Sequence, residues 1–115
     1  MKLLFLCSMN LMRSPTAEDV FNGVAGVEAE SAGLRRDAEL FVTPELIAWA
    51  DIIFVMEEDH RAKLNKMARS LVKDKRVVCL GIPDHYCRGH PELIDLLWER
   101  VPKSVPQLAG MRPDA

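Results

Sequence analysis

At 115 residues, with 28% charged and 49% hydrophobic side chains, the chain has the size and composition of one ordinary soluble domain. A formal net charge of −2 points away from nucleic acid and from anionic membrane surfaces as partners, and no apolar run is long enough to span a bilayer. Three cysteines without disulfide-framework spacing fit a reducing compartment, so a cytoplasmic location is expected.

The chain opens with Lys2 to Cys7, apolar on successive residues as a buried parallel strand is. This strand delivers a thiol, Cys7, to its carboxyl end. A tight loop, Ser8-Met9-Asn10-Leu11-Met12, follows and runs into Arg13 and Ser14-Pro15. Ala17, Val20, Phe21 and Val24 then recur at helical spacing, which predicts a helix over 14–23 with Pro15 at its first position and Ser14 as a natural N-cap. Loop amides and a helix N-terminus together make an anion site, and the same positive field favours the thiolate of a cysteine placed there. Arg13 adds a planar fork matched to two phosphate oxygens. A nucleophile, an oxyanion cradle and a guanidinium clamp so close in sequence describe phosphoryl transfer onto sulfur.

Further along, Val27 to Ala32 reads as a second strand and 34–42 as a loop. Thr43-Pro44 opens a short helix carrying Leu46, Ile47 and Trp49, and 51–56 is a third strand. Residues 58–72 form a helix whose apolar face is read as Leu64, Met67, Ala68 and Leu71. Val77 to Leu80 is a fourth strand, 81–89 a loop, and Pro91 starts a last helix to about Val101 that buries Leu93, Ile94, Leu97 and Trp98. The Pro-containing tail, 102–115, is expected to be loosely attached. Alternating strands and helices predict a single α/β domain over 1–115 with a parallel sheet. Right-handed crossovers place every strand's carboxyl end on one edge, so Cys7 and Asp84 face a common crevice.

Cys7-x5-Arg13-Ser14, with Asn10 inside and Pro15-x-Ala17-Glu18 after it, resembles the signature of low-molecular-weight protein tyrosine phosphatases. Ser31-Ala32-Gly33, the Asp51-to-Met56 strand and Ile82-Pro83-Asp84-His85-Tyr86 are similar to further parts of that family. The resemblance implies a three-layer, flavodoxin-like α/β fold, a four-stranded parallel sheet flanked by helices. It implies metal-independent hydrolysis of phosphotyrosine or a related aryl phosphate through a phosphocysteine, with no cofactor. The partners would be a phosphorylated protein or small aryl phosphate as substrate and inorganic phosphate as product. Cys7 would be the nucleophile, Arg13 the clamp, and Asp84 the general acid and then the base. The loop residues Ser8, Met9, Asn10, Leu11 and Met12 would bind the phosphate. Ser14 would donate to the sulfur, a role that competes with N-capping. Tyr86 would form an aromatic wall.

The chain departs from the family pattern at Met9, where glycine is usual, and at Met12, where many members have a second cysteine. His85 and Cys87 replace a proline and a tyrosine, the chain is shorter, and the stretch after Gly33 is abbreviated. These differences bear on substrate choice more than on the reaction. An arsenate reductase-like relay needs two cysteines before the acid loop, whereas Cys87 follows it. A phosphocysteine carrier would lack Arg13. A non-catalytic phosphate or phosphopeptide module on the same fold is the binding-protein alternative. Cys79, His85, Cys87 and His90 have no familiar zinc spacing. Arg35 and Arg36 lie near the expected edge, and the basic run from Arg61 to Arg76 reads as a solvated face.

Overall fold

Leu3, Leu4, Phe5 and Leu6 have no solvent exposure, because the strand they form, β1 (Lys2–Cys7), lies inside the sheet with neighbours on both sides. The structure, a computed structural model, describes residues 1–113. After β1 come α1 (Arg13–Phe21), β2 (Glu28–Gly33), α2 (Pro44–Trp49), β3 (Ile52–Val55), α3 (Glu58–Val72), β4 (Arg76–Cys79) and α4 (Pro91–Arg100). The four strands are all parallel in the order β2-β1-β3-β4. This is the expected three-layer, flavodoxin-like arrangement.

Period-two alternation splits the core into two layers. Leu3, Phe5 and Cys7 face α1 and α4, where Phe5 stacks between Phe21 and Phe54 at centroid distances of 5.8 and 5.1 Å. Leu4 and Leu6 face α2 and α3 and pack with Ile47, Ile53, Val55 and Leu64. Burying a side chain of this size contributes roughly 1.5–3 kcal/mol. Order reverses between β1 and β3, so the loops leaving those two strands diverge and open a crevice.

Several local expectations change. Helix α1 begins at Arg13, its N-cap is Met12 without a side-chain bond, and Ser14 is therefore not the cap. Its hydroxyl is engaged with the sulfur instead, as described below. Helix α1 ends at Phe21, and Val24–Gly26 forms a separate single turn. On α3 the buried face is His60, Leu64 and Val72, with Ala68 packed against it, whereas Met67 and Leu71 are exposed. Those residues share the i, i+4 stripe that faces the sheet, and non-helical dihedrals at Ala68 interrupt the helix there. The tail is packed rather than loose. Val105 and Leu108 join Val101 in the core with no exposure, Pro106 starts a short 3₁₀ turn, and Arg112 pairs with Asp95 at 2.6 Å. Residues 114–115 of that tail lie outside the described part. Among the described residues no helix is long and apolar enough to cross a membrane.

Candidate active site

Cys7, the last residue of β1, is 4% exposed and stands at the head of the loop that leads into α1. The loop turns at Asn10, whose φ of 57° is left-handed, a conformation asparagine tolerates better than most residues. That turn brings the Asn10 N–H to 3.3 Å from Cys7 Sγ. Behind the loop, Leu34 N–H donates to the carbonyls of Cys7 and Ser8, both at 3.0 Å, and Glu39 N–H donates to Met9 O at 2.9 Å. A trans peptide sets each carbonyl opposite the following N–H. With the carbonyls of Cys7, Ser8 and Met9 tied backwards, the amides of Ser8, Met9 and Asn10 face forward, as an anion cradle requires. Gly33 permits this close approach, since a Cβ there would meet Ala38 Cβ and stand 2.6 Å from Ser8 O.

A chain of hydrogen bonds fixes the proton on Ser14. Ser31 Oγ donates to the Glu18 carboxylate at 2.7 Å and therefore needs a donor of its own. The Asn10 amide nitrogen supplies one at 2.9 Å and gives its second proton to Ser14 Oγ at 3.0 Å. Ser14 thus accepts from Asn10, and its hydroxyl proton lies between Cys7 Sγ at 2.9 Å and the more distant Ala32 O at 3.5 Å. The sulfur is the nearer acceptor. Two donors converge on it, Ser14 Oγ and the Asn10 N–H.

Arg13 is 4% exposed. Its Nη1 donates to Ile82 O at 2.7 Å and contacts Glu57 Oε2 at 3.1 Å, while Nε is 3.8 Å from Asp84 Oδ1. The guanidinium is therefore anchored through one nitrogen, and the loop after β4 is fastened to the loop after β1. Asp84 itself is exposed, and two further contacts hold its loop against α1. Gly89 N–H donates to Thr16 Oγ1 at 2.9 Å, and Arg88 forks onto Asp19 at 3.0 and 3.1 Å.

Cys7, Ser8, Met9, Leu11, Met12, Arg13 and Asp84 line one cavity of about 260 Å³. The three residues expected to do chemistry are thus brought together. Asn10 and Ser14 stand behind the wall and act on the sulfur. Tyr86 is not among the lining residues; it packs half-buried against the core, with His90 at 5.4 Å and His85 at 6.2 Å between ring centroids. Arg35 pairs with Asp37, and Arg36 lies over the Phe41 ring at 6.0 Å. Burial pushes the Cys79 thiol up from its ordinary value, so it stays protonated, and Cys87 is exposed on the acid loop. A shallow groove of about 600 Å³ along α3, lined by Asn65, Lys66, Arg69, Val72 and Lys73, holds neither a cysteine nor a carboxylate.

Two site residues were not anticipated from sequence, Glu57 and His60. Both follow β3, the strand beside β1, so the reversal of strand order at β1/β3 points to their loop. His60 is 3% exposed. Its Nδ1 accepts the Glu57 N–H at 3.1 Å, and its Nε2 lies 3.0 Å from Ser8 Oγ. Burial, and next the Arg13 charge, hold its pKa below the ordinary imidazole value, against the opposing pull of Asp59, Glu57 and Asp84. The ring is neutral, and an accepting Nδ1 leaves its proton on Nε2.

No family model matches the sequence. No curated protein matches it either. Solved structures do. The YwlE arginine phosphatase from Geobacillus stearothermophilus has a TM-score of 0.69 at 22% identity, over 98% of this chain and 99% of its own. The tyrosine phosphatase Wzb from Escherichia coli K30, in complex with phosphate, has a TM-score of 0.74 at 20% identity, over 93% of this chain and 97% of its own. A cysteine-to-serine mutant of YwlE, described with a phosphorylated active-site serine, has a TM-score of 0.69 at 21% identity, over 92% and 96% of the two chains. Agreement across nearly the whole length at this identity is agreement of architecture, and the chain has the α/β fold of these low-molecular-weight tyrosine and arginine phosphatases.

Proposed function

We propose that this protein hydrolyses phosphate monoesters, phosphotyrosine or a related aryl phosphate, through a phosphocysteine on Cys7. The observation that carries the reading is the convergence of Asn10 N–H and Ser14 Oγ on Cys7 Sγ, in a cavity that also holds Arg13 and Asp84. The sulfur attacks phosphorus and the bond to the leaving oxygen breaks. Arg13, anchored through Nη1, offsets with its guanidinium the charge that develops on the phosphoryl oxygens. The Ser8 and Met9 amides take the remaining oxygen charge. Asp84 gives its proton to the leaving oxygen. Water then attacks the phosphocysteine, Asp84 accepts a proton from it, and sulfur departs as thiolate towards Ser14. The side chains supply nucleophile, acid and charge neutralisation, so the mechanism calls for no metal and no cofactor.

The rim of Met9, Leu11 and Met12 is apolar, with Leu11 and Met12 exposed, and this supports a ring-bearing ester over a polar phosphoguanidine. Phosphoarginine is the second substrate reading, because arginine phosphatases share the fold. The substrate would be a phosphorylated protein or a small aryl phosphate, and inorganic phosphate the product. Free thiols at Cys7, Cys79 and Cys87 support a reducing, cytoplasmic setting.

The test is hydrolysis of p-nitrophenyl phosphate in EDTA. Turnover that disappears in Cys7→Ser supports the reading, and unchanged turnover in that variant removes it. Phosphotyrosine and phosphoarginine peptides assayed side by side decide the substrate. Arsenate reduction with thioredoxin, or phosphate binding without turnover, would favour the alternatives.

A further inference from the structure

Ser8 lies in the loop position directly after the proposed nucleophile and is among the residues that line the cavity. Its hydroxyl oxygen is 3.0 Å from His60 Nε2, on a helix that begins beyond a different strand. The direction of that bond follows from the other side of the ring. A backbone N–H can only donate, so Glu57 N–H at 3.1 Å makes Nδ1 an acceptor. Nε2 then carries the proton and Ser8 Oγ must accept it. The serine's own proton is thereby released from His60, and among the described residues Ser8 Oγ has no second hydrogen-bond partner.

We propose that His60 is a positioning residue, held as the Nε2–H tautomer by the Glu57 amide, which turns the Ser8 hydroxyl so that its proton meets an oxygen of the bound phosphoryl group. The assignment rests on the phosphatase reading above and adds a side-chain donor to a cradle otherwise made of backbone amides and Arg13. Depression of the His60 pKa by burial and Arg13 is in keeping with a ring that stays neutral across the working range. Glu57 serves both groups, since its amide sets the His60 tautomer while its carboxylate contacts Arg13 Nη1 at 3.1 Å.

The test is a double-mutant cycle read by inorganic phosphate affinity in titration calorimetry and by kcat/KM on p-nitrophenyl phosphate. Ser8→Ala should weaken phosphate binding about 5-fold, the effect of one neutral hydrogen bond. His60→Asn keeps an acceptor for the Glu57 amide but cannot reach Ser8, and should lose about the same factor. The double variant should lose no more than either single one. His60→Gln, which can carry a donor to the Nε2 position, should restore affinity to within about 2-fold. Additive losses, or an unchanged Ser8→Ala, would overturn the proposal. Nitrogen-detected NMR of the wild-type histidines gives a readout independent of variant folding, and a proton found on His60 Nδ1 would also overturn it. Because phosphate affinity is read without turnover, the outcomes separate. A protein that binds phosphate with this coupling but cleaves no ester keeps the positioning role and loses the hydrolase reading. One that turns over through Cys7 with additive losses does the reverse.

Discussion

Ser14 Oγ lies 2.9 Å from Cys7 Sγ, and it reaches the sulfur as a donor because the Asn10 side chain already donates to it at 3.0 Å. Ser14→Ala removes that donor and leaves one Asn10 N–H without its acceptor. A hydrogen bond to a charged group is worth about 1.5–3 kcal/mol, so kcat should fall on the order of 10- to 100-fold. KM should change little. Steady-state kinetics with p-nitrophenyl phosphate check this, and a loss confined to KM would show that the hydroxyl serves binding instead.

Asp84 approaches Arg13 Nε to 3.8 Å while remaining largely open to solvent. Asp84→Ala should slow esters of poor leaving groups by about 10²–10⁴-fold, the usual worth of a general acid, and activated esters far less. A series of substituted phenyl phosphates gives the comparison. Equal slowing across the series would take Asp84 out of the acid role.

Gly33 is needed because the end of β2 passes directly behind the loop that follows Cys7. A Cβ at Gly33 would stand 2.6 Å from Ser8 O and 3.1 Å from the Met9 carbonyl carbon, both backbone atoms that cannot swing aside. Gly33→Ala should cost about 1–3 kcal/mol of stability, as overpacking does, and should lower kcat as the cradle shifts. Urea unfolding and phosphatase assays on the same sample test both parts. A change in neither would mean that the loop yields freely.

His60 is buried and its pKa is depressed, first by burial and then by Arg13. The unfolded chain therefore takes up a proton on this ring before the folded chain does. Well above the ordinary imidazole pKa of about 6.5 both states are neutral and the group contributes no pH dependence. As pH falls below that value, stability is lost, down to the folded-state pKa, where the loss levels off. Urea midpoints measured from neutral to mildly acidic pH should fall more steeply for the wild type than for His60→Gln. Parallel curves would exclude the ring as the source.

Much of the site can be read along the chain. The apolar run Lys2–Cys7, the Asn10 turn and the start of α1 are contiguous, so strand, loop and helix are dictated by neighbours in sequence. Local pattern misled where two periodicities compete. Met67 and Leu71 fit a helical stripe, yet His60, Leu64 and Val72 with Ala68 are what the sheet covers. A buried histidine in that stripe looks polar by composition, although its Glu57 and Ser8 bonds make it a core residue. The tail misled for a related reason. Its prolines suggested a loose end, while Val105 and Leu108 had apolar surface to bury.

By itself the sequence determined the strand–loop–helix unit that runs from Cys7 to Arg13 and the parallel α/β class, because strand, turn and helix N-terminus are local consequences of residue type. Tertiary structure decided the rest. Strand order set β3 beside β1 and so brought Glu57 to Arg13 and His60 to Ser8, and it set the Ile82 carbonyl against Arg13 Nη1. No spacing along the chain encodes those contacts; they exist because parallel strands joined by right-handed crossovers bring distant loops to one edge.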